Sequence, residues 1–149
     1  MEFIKDYLDL SVFAILGLMS FLALAFSIER LVHYSRVDVR QFRHPERLRI
    51  DLQRGLTVIA TVASNAPYVG LLGTVFGIMI TFHDIGQTGE IDTNSVMVGL
   101  ALALKATALG LLVAIPAMVF YNALSTRAET LMSWWKISQD VAREQASRR

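Results

Sequence analysis

Three long stretches of this chain carry almost no charge, and a soluble fold of this length has nowhere to hide them. The first, residues 10–28, reads LSVFAILGLMSFLALAFSI and meets its first charges at Glu29 and Arg30. The second covers residues 58–82. The third covers 96–121 and holds one charge, Lys105. Each supplies the roughly 20 residues that cross about 30 Å of hydrocarbon at about 1.5 Å per residue. Hydrocarbon offers no partner for backbone N–H and C=O groups, so the crossing segments must be helices. The expected fold class is all-α: an integral membrane protein with three transmembrane helices.

The composition agrees. Only 18% of the 149 residues are charged and 54% are hydrophobic, against about 25% charged in an ordinary soluble domain. There is no cysteine, which excludes disulfides, thiolate metal sites and a cysteine nucleophile. A net charge of +1 argues against a nucleic-acid partner. His33, His44 and His83 lie outside the spans without metal-ligand spacing, so neither a metal nor a cofactor is expected. Gly70, Gly73 and Gly77 match no nucleotide-binding pattern and sit within an apolar span. No nucleophile–base set is visible, and no enzyme is expected.

The first span is read as an uncleaved helix. Ala23–Leu24–Ala25 has the form of a signal-peptidase site, but residues 1–9 carry Glu2, Asp6 and Asp9 against Lys5, whereas a signal peptide starts basic. Phe3, Ile4, Tyr7 and Leu8 share a helical face, so residues 1–9 are expected to form an interfacial helix. Residues 29–57 form a basic loop or helical region with seven arginines, Arg30, Arg36, Arg40, Arg43, Arg47, Arg49 and Arg54. The loop at 83–95 has only Asp84, Glu90 and Asp92, and the tail at 122–149 adds Arg127, Lys136, Arg143, Arg148 and Arg149. The positive-inside rule then places residues 29–57 and the tail in the cytoplasm and the N-terminus outside. The arginines are read as topology determinants that also meet anionic membrane lipids. The tail has no Pro or Gly, and Leu131, Trp134, Trp135, Ile137 and Val141 recur at near-helical spacing. The third helix is therefore expected to extend into the cytoplasm, with both tryptophans packed in a helical bundle.

Within the membrane, Ala63, Pro67, Gly70, Thr74, Gly77 and Thr81 recur in steps of four and three, on one helical face. Gly99, Ala103, Gly110 and Ala114 form a second stripe, with Thr107 between. Such stripes either pack helices closely or line a central space. Thr74 and Thr107 lie about 12 Å and about 16 Å from the outer ends of their helices. Lys105 lies about 14 Å in, and a lysine at a helix centre costs roughly 2.5–3.5 kcal/mol on insertion. No carboxylate of this chain lies inside a span. Another chain, a backbone carbonyl, water or neutrality must then accommodate Lys105, and an acidic group on a second membrane protein is the favoured partner. Lys105 and Thr107 are about 200° apart around the helix, so they face different neighbours.

The stretch 66–79, APYVGLLGTVFGIM, followed by 99–122, GLALALKATALGLLVAIPAMVFYN, resembles the ExbB/TolQ/MotA proton-channel family, and within it the short ExbB branch. The resemblance covers spans two and three and the loop between them. It implies a homo-oligomeric ring, five copies around the single helices of an ExbD-type partner, in a bacterial inner membrane. Such a complex uses the proton gradient to energise TonB, which drives import of siderophores, haem or vitamins across the outer membrane. It also implies that Thr74 and Thr107 line the proton pathway and that the small-residue stripes face a lumen. Many members carry a glutamate five residues before the second threonine. Here that position is Leu102, so either the carboxylate is dispensable or the partner's acid is the sole carrier, with Lys105 tuning that acid or facing a neighbouring subunit. A TolQ-like envelope subunit and a structural membrane scaffold are the alternatives. A flagellar stator subunit, with four spans and a large cytoplasmic domain, does not fit.

Overall fold

The computed structural model describes residues 2–42, 44–88 and 92–148. Arg43, Glu90 and Arg149, together with the side chains of residues 2–6 and of Arg40, lie outside the described residues. Every element among the described residues is helical. Helix α1 runs Glu2–Arg36, α2 Pro45–Gln53, α3 Leu56–Thr88 and α4 Thr93–Ser147, and a 3₁₀ turn spans Val39–Gln41. Helices α1, α3 and α4 are each long and apolar enough to cross a membrane. The chain is a multi-pass membrane protein.

The helices run past the apolar spans that mark them in the sequence. Residues 2–9 continue into the first span as one helix, and α3 extends six residues past Phe82 to Thr88. Backbone hydrogen bonding does not stop where hydropathy does; it stops at a breaker or a cap. Helix α4 starts at such a cap. The carboxylate of Asp92 accepts the backbone N–H groups of Asn94 at 3.1 Å and Ser95 at 3.2 Å, filling donors that the first turn leaves open. With no Gly or Pro in its last third, α4 then continues for 55 residues, about 80 Å. Helix α2 begins with Pro45 at its first position, where a missing N–H costs nothing. It is separated from α3 by Gly55 at φ +80°, a left-handed conformation that side chains with a Cβ resist.

Helices α3 and α4 make the most extensive pairing, with α1 packed against both and α2 against α4 at the arginine-rich end. There Leu48, Leu52 and Ile59 are fully buried. The C-terminal end of α1 is fastened to the last turn of α2. Arg30 donates to the Asp51 carbonyl at 3.0 Å and to the Glu29 carboxylate at 2.7 Å. Tyr34 donates to the Leu52 carbonyl, and His33 Nε2 meets the Asp51 carboxylate at 2.7 Å. A cation and a hydroxyl thus fill carbonyls that the end of α2 cannot satisfy itself. Arg30, one of seven arginines read as topology determinants, is 5% exposed and is a structural cap as well.

The tail divides its two tryptophans. Trp135 is buried, and its indole N–H donates to the Phe42 carbonyl at 2.8 Å, tying α4 to the linker before α2. Trp134 is 61% exposed, with Ile137 and Val141 also exposed. Packing in a bundle therefore holds for Trp135 within one protomer and not for Trp134, which projects from another side of the same turn. Along the spans the exterior is apolar: Leu18, Phe21 and Ile28 of α1 and Leu104, Leu112 and Ile115 of α4 are all exposed.

Candidate functional site

The two small-residue stripes meet each other. A Cβ built on Gly70 would lie 2.7 Å from the Ala106 carbonyl oxygen, 3.0 Å from Thr107 Cα and 3.1 Å from Gly110 Cα. One built on Gly110 would lie 2.7 Å from the Ala66 carbonyl oxygen, and one on Gly77 would lie 2.7 Å from the Ala103 Cβ. The backbones of α3 and α4 are therefore in direct contact. Only the absence of side chains permits this, and in lipid such dispersion contact is what holds helices together. Toward the acidic end Thr81, buried, donates to its own helix at the Gly77 carbonyl (2.9 Å) and fills the space beside Gly99. Ala63, Ala103 and Ala114 are buried too, and Pro67 is half-buried.

This close approach brings Thr74 and Thr107 side by side. Their hydroxyls are hydrogen-bonded to each other, and either can be the donor. Thr74 Oγ1 is also 3.1 Å from the Ala103 carbonyl and 3.3 Å from the Gly70 carbonyl, and Thr107 Oγ1 is 3.3 Å from the same Gly70 carbonyl. Two hydroxyl hydrogens are thus shared among two hydroxyl oxygens and two backbone carbonyls. In one arrangement Thr74 donates to Thr107, which donates to Gly70. In the other Thr107 donates to Thr74, which donates to Ala103 or Gly70. Turning the two O–H bonds converts one into the other with the heavy atoms at rest. Thr74 is buried, whereas Thr107 keeps part of its surface, so the pair opens to its surroundings through Thr107.

Lys105 is not part of this group. Its ammonium nitrogen lies 5.7 Å from the centroid of the Phe13 ring of α1, and the residue is exposed. The salt bridges among the described residues, Arg30–Glu29, His33–Asp51 and Arg148–Glu144, leave it out. Leu102 is 42% exposed.

Several contacts were not singled out from the sequence. Ala66 and Ala106 are buried in the α3–α4 contact, and a Cβ on Gly73 would meet the Ala106 Cβ at 2.7 Å and Val12 of α1 at 3.1 Å. Ala66 and Gly73 stand four and three residues from Gly70, and Ala106 stands three and four from Ala103 and Gly110, so a signal was available. The role of Phe13 had none, because only the packing of α1 brings it to Lys105.

Comparison with known proteins agrees with this architecture. Residues 39–137 match the family model described as the MotA/TolQ/ExbB proton channel family. The chain is 52% identical to the biopolymer transport protein ExbB of Helicobacter pylori over 137 residues, covering 92% of this chain and 94% of that protein. It is 52% identical to the ExbB of Aquifex aeolicus, covering 90% of this chain and 91% of that one. The Tol-Pal system protein TolQ of Pseudomonas aeruginosa is 47% identical over 81 residues, which is 54% of this chain and 35% of the TolQ. With the family model matched over residues 39–137, three helices able to span a membrane and similarity to two ExbB proteins over about nine-tenths of each chain, this chain belongs to the MotA/TolQ/ExbB proton channel family.

Proposed function

We propose that this chain is the wall subunit of a proton-driven motor of the TonB–ExbB–ExbD type, and not an enzyme. Five copies surround the single membrane helices of an ExbD-type partner in a bacterial inner membrane, with the N-terminus in the periplasm and the arginine-rich end in the cytoplasm. The complex energises TonB for import of siderophores, haem or vitamins.

The observation that carries this reading is the reversible hydroxyl pair, Thr74 and Thr107. A carboxylate accepts hydrogen bonds when ionised and donates one when protonated. A wall that must serve both states needs a group that can switch between donor and acceptor without carrying charge. The threonine pair does so by turning two O–H bonds, with the Gly70 and Ala103 carbonyls taking the hydrogen left over. With Leu102 where many relatives have glutamate, the titrating acid belongs to the partner. Each proton that descends about 100 mV supplies about 2.3 kcal/mol. Neutralising the partner's acid lets its helix shift to the next equivalent position in the ring.

The test is a gene deletion scored for growth on a siderophore or haem as sole iron source, with detergent sensitivity as control. It is complemented by the wild type or by Thr107→Val. Val keeps the volume and removes the hydroxyl, so the variant is expected in the membrane at normal level with iron uptake lost. Normal uptake with that variant would count against the relay. The similarity to TolQ favours a second reading, an envelope-maintenance motor with the same wall chemistry. It predicts normal iron uptake and a leaky, detergent-sensitive envelope. The near-complete coverage of two ExbB proteins favours the first.

A further inference from the structure

We infer that the groove between α1 and α4 is a second helix-docking site, and that its occupant is a membrane-spanning helix carrying a carboxylate at the depth of Lys105. The inference rests on the membrane placement of the helices and is independent of the proton-motor reading.

Lys105 stands on the α1 side of α4, against Phe13. Thr107, about 200° around the helix, stands on the α3 side. The lysine therefore does not face the threonine pair, and a helix that meets it sits against a different wall. An aromatic face offsets only part of the insertion cost of a central lysine, and Lys105 remains exposed. The depth of Lys105 takes it away from lipid phosphates. Among the described residues no salt bridge satisfies it, and the spans of this chain hold no carboxylate. An intramembrane charge of this kind is normally matched by a protein group. A second copy of the chain brings no acid at that depth, so the acid comes from a different protein.

The groove has room for such a helix. One turn from Phe13, Gly17 is exposed, and a Cβ there would meet nothing within 4 Å. Further along the same face of α1, Ser20 and Leu24 line a shallow cavity of about 110 Å³ with Leu112, Pro116 and Phe120 of α4. Residues 13, 17, 20 and 24 share one face of α1, and 105, 112, 116 and 120 one face of α4, so charge and cavity form a single strip. A glycine in that strip lets a third backbone approach closely.

The test uses the full-length protein in phosphatidylethanolamine/phosphatidylglycerol vesicles. The probe is a synthetic Leu/Ala transmembrane peptide with one central aspartate, and its control is the same peptide with asparagine. The chain has no cysteine, so Leu10→Cys provides a unique site for a fluorophore, and energy transfer to a labelled peptide reads association. The aspartate peptide is expected to bind about tenfold more tightly than the asparagine peptide. Lys105→Leu should erase that preference, Lys105→Arg should keep it, and Gly17→Leu should weaken both peptides. Equal binding of the two peptides by the wild type, or an undiminished preference in Lys105→Leu, would overturn the inference. So would loss of the preference in Thr107→Val with retention in Lys105→Leu, which would place the acid at the threonine pair. Helical content and oligomer size, measured on every variant, separate loss of the site from loss of fold.

Discussion

Gly70→Ala adds one methyl group at the tightest point of the molecule. Its Cβ would sit 2.7 Å from the Ala106 carbonyl oxygen, with Thr107 Cα and Gly110 Cα at 3.0 and 3.1 Å. All three neighbours are backbone atoms of a helix, so no side chain can swing away. A carbon–oxygen contact relaxes at about 3.3 Å, so α3 and α4 must part locally by about 0.6 Å. A gap of that size forfeits a quarter to a half of each dispersion contact across the seam, and overpacking of this kind costs about 1–3 kcal/mol. The same displacement would stretch the Thr74–Ala103 hydrogen bond, now 3.1 Å, toward the limit at which it ceases to count. Stability and transport should therefore fall together. The control is Gly86→Ala, near the end of the same helix, where a Cβ meets nothing within 4 Å and alanine is the better helix former. Unfolding by denaturant in detergent micelles, followed by circular dichroism, gives the difference. If Gly70→Ala were as stable as Gly86→Ala, the direct backbone contact between α3 and α4 would be wrong.

Three further outcomes follow from the fold. Gly55→Ala forces an alanine to φ +80° with its Cβ 3.0 Å from Phe26 Cδ1, which should cost about 1–2 kcal/mol and loosen the α2–α3 turn, read as a lower denaturation midpoint. Arg30→Met keeps the buried stem and deletes the donor to the Asp51 carbonyl, a loss of about 1.5–3 kcal/mol. Faster amide exchange in the last turn of α2, with the threonine seam unchanged, is the expected signature. The Ser95 hydroxyl, then the Asn94 and Ser95 amides, hold the Asp92 carboxyl below its ordinary value of 3.8. Because the folded pKa is the lower one, the cap stabilises α4 above about pH 4 and is lost as pH falls through the depressed value. Protection of the Asn94 and Ser95 amides should fade over that acid range in the wild type and stay flat with pH in Asp92→Asn.

The number and helical nature of the membrane segments were legible in the sequence because they are local matters. Hydrocarbon demands that each crossing segment satisfy its own backbone, so a run of apolar residues of sufficient length settles the element by itself. The same held for the 66–79 and 99–122 motifs, which carry the resemblance to the family. Periodicity went one step further and assigned Gly70, Thr74 and Gly77, and likewise Ala103, Thr107 and Gly110, to common faces. It could not say what those faces meet, because the rotation of one helix relative to another is set by packing across the whole molecule. Only the tertiary structure turned the two stripes toward each other, joined Thr74 to Thr107, and set Phe13 beside Lys105. It also withdrew Arg30 from a set of arginines that look alike in the sequence, and it divided Trp135 from Trp134. Each of these choices pairs residues far apart along the chain, and such pairings are decided by which surfaces fit, which no local pattern encodes.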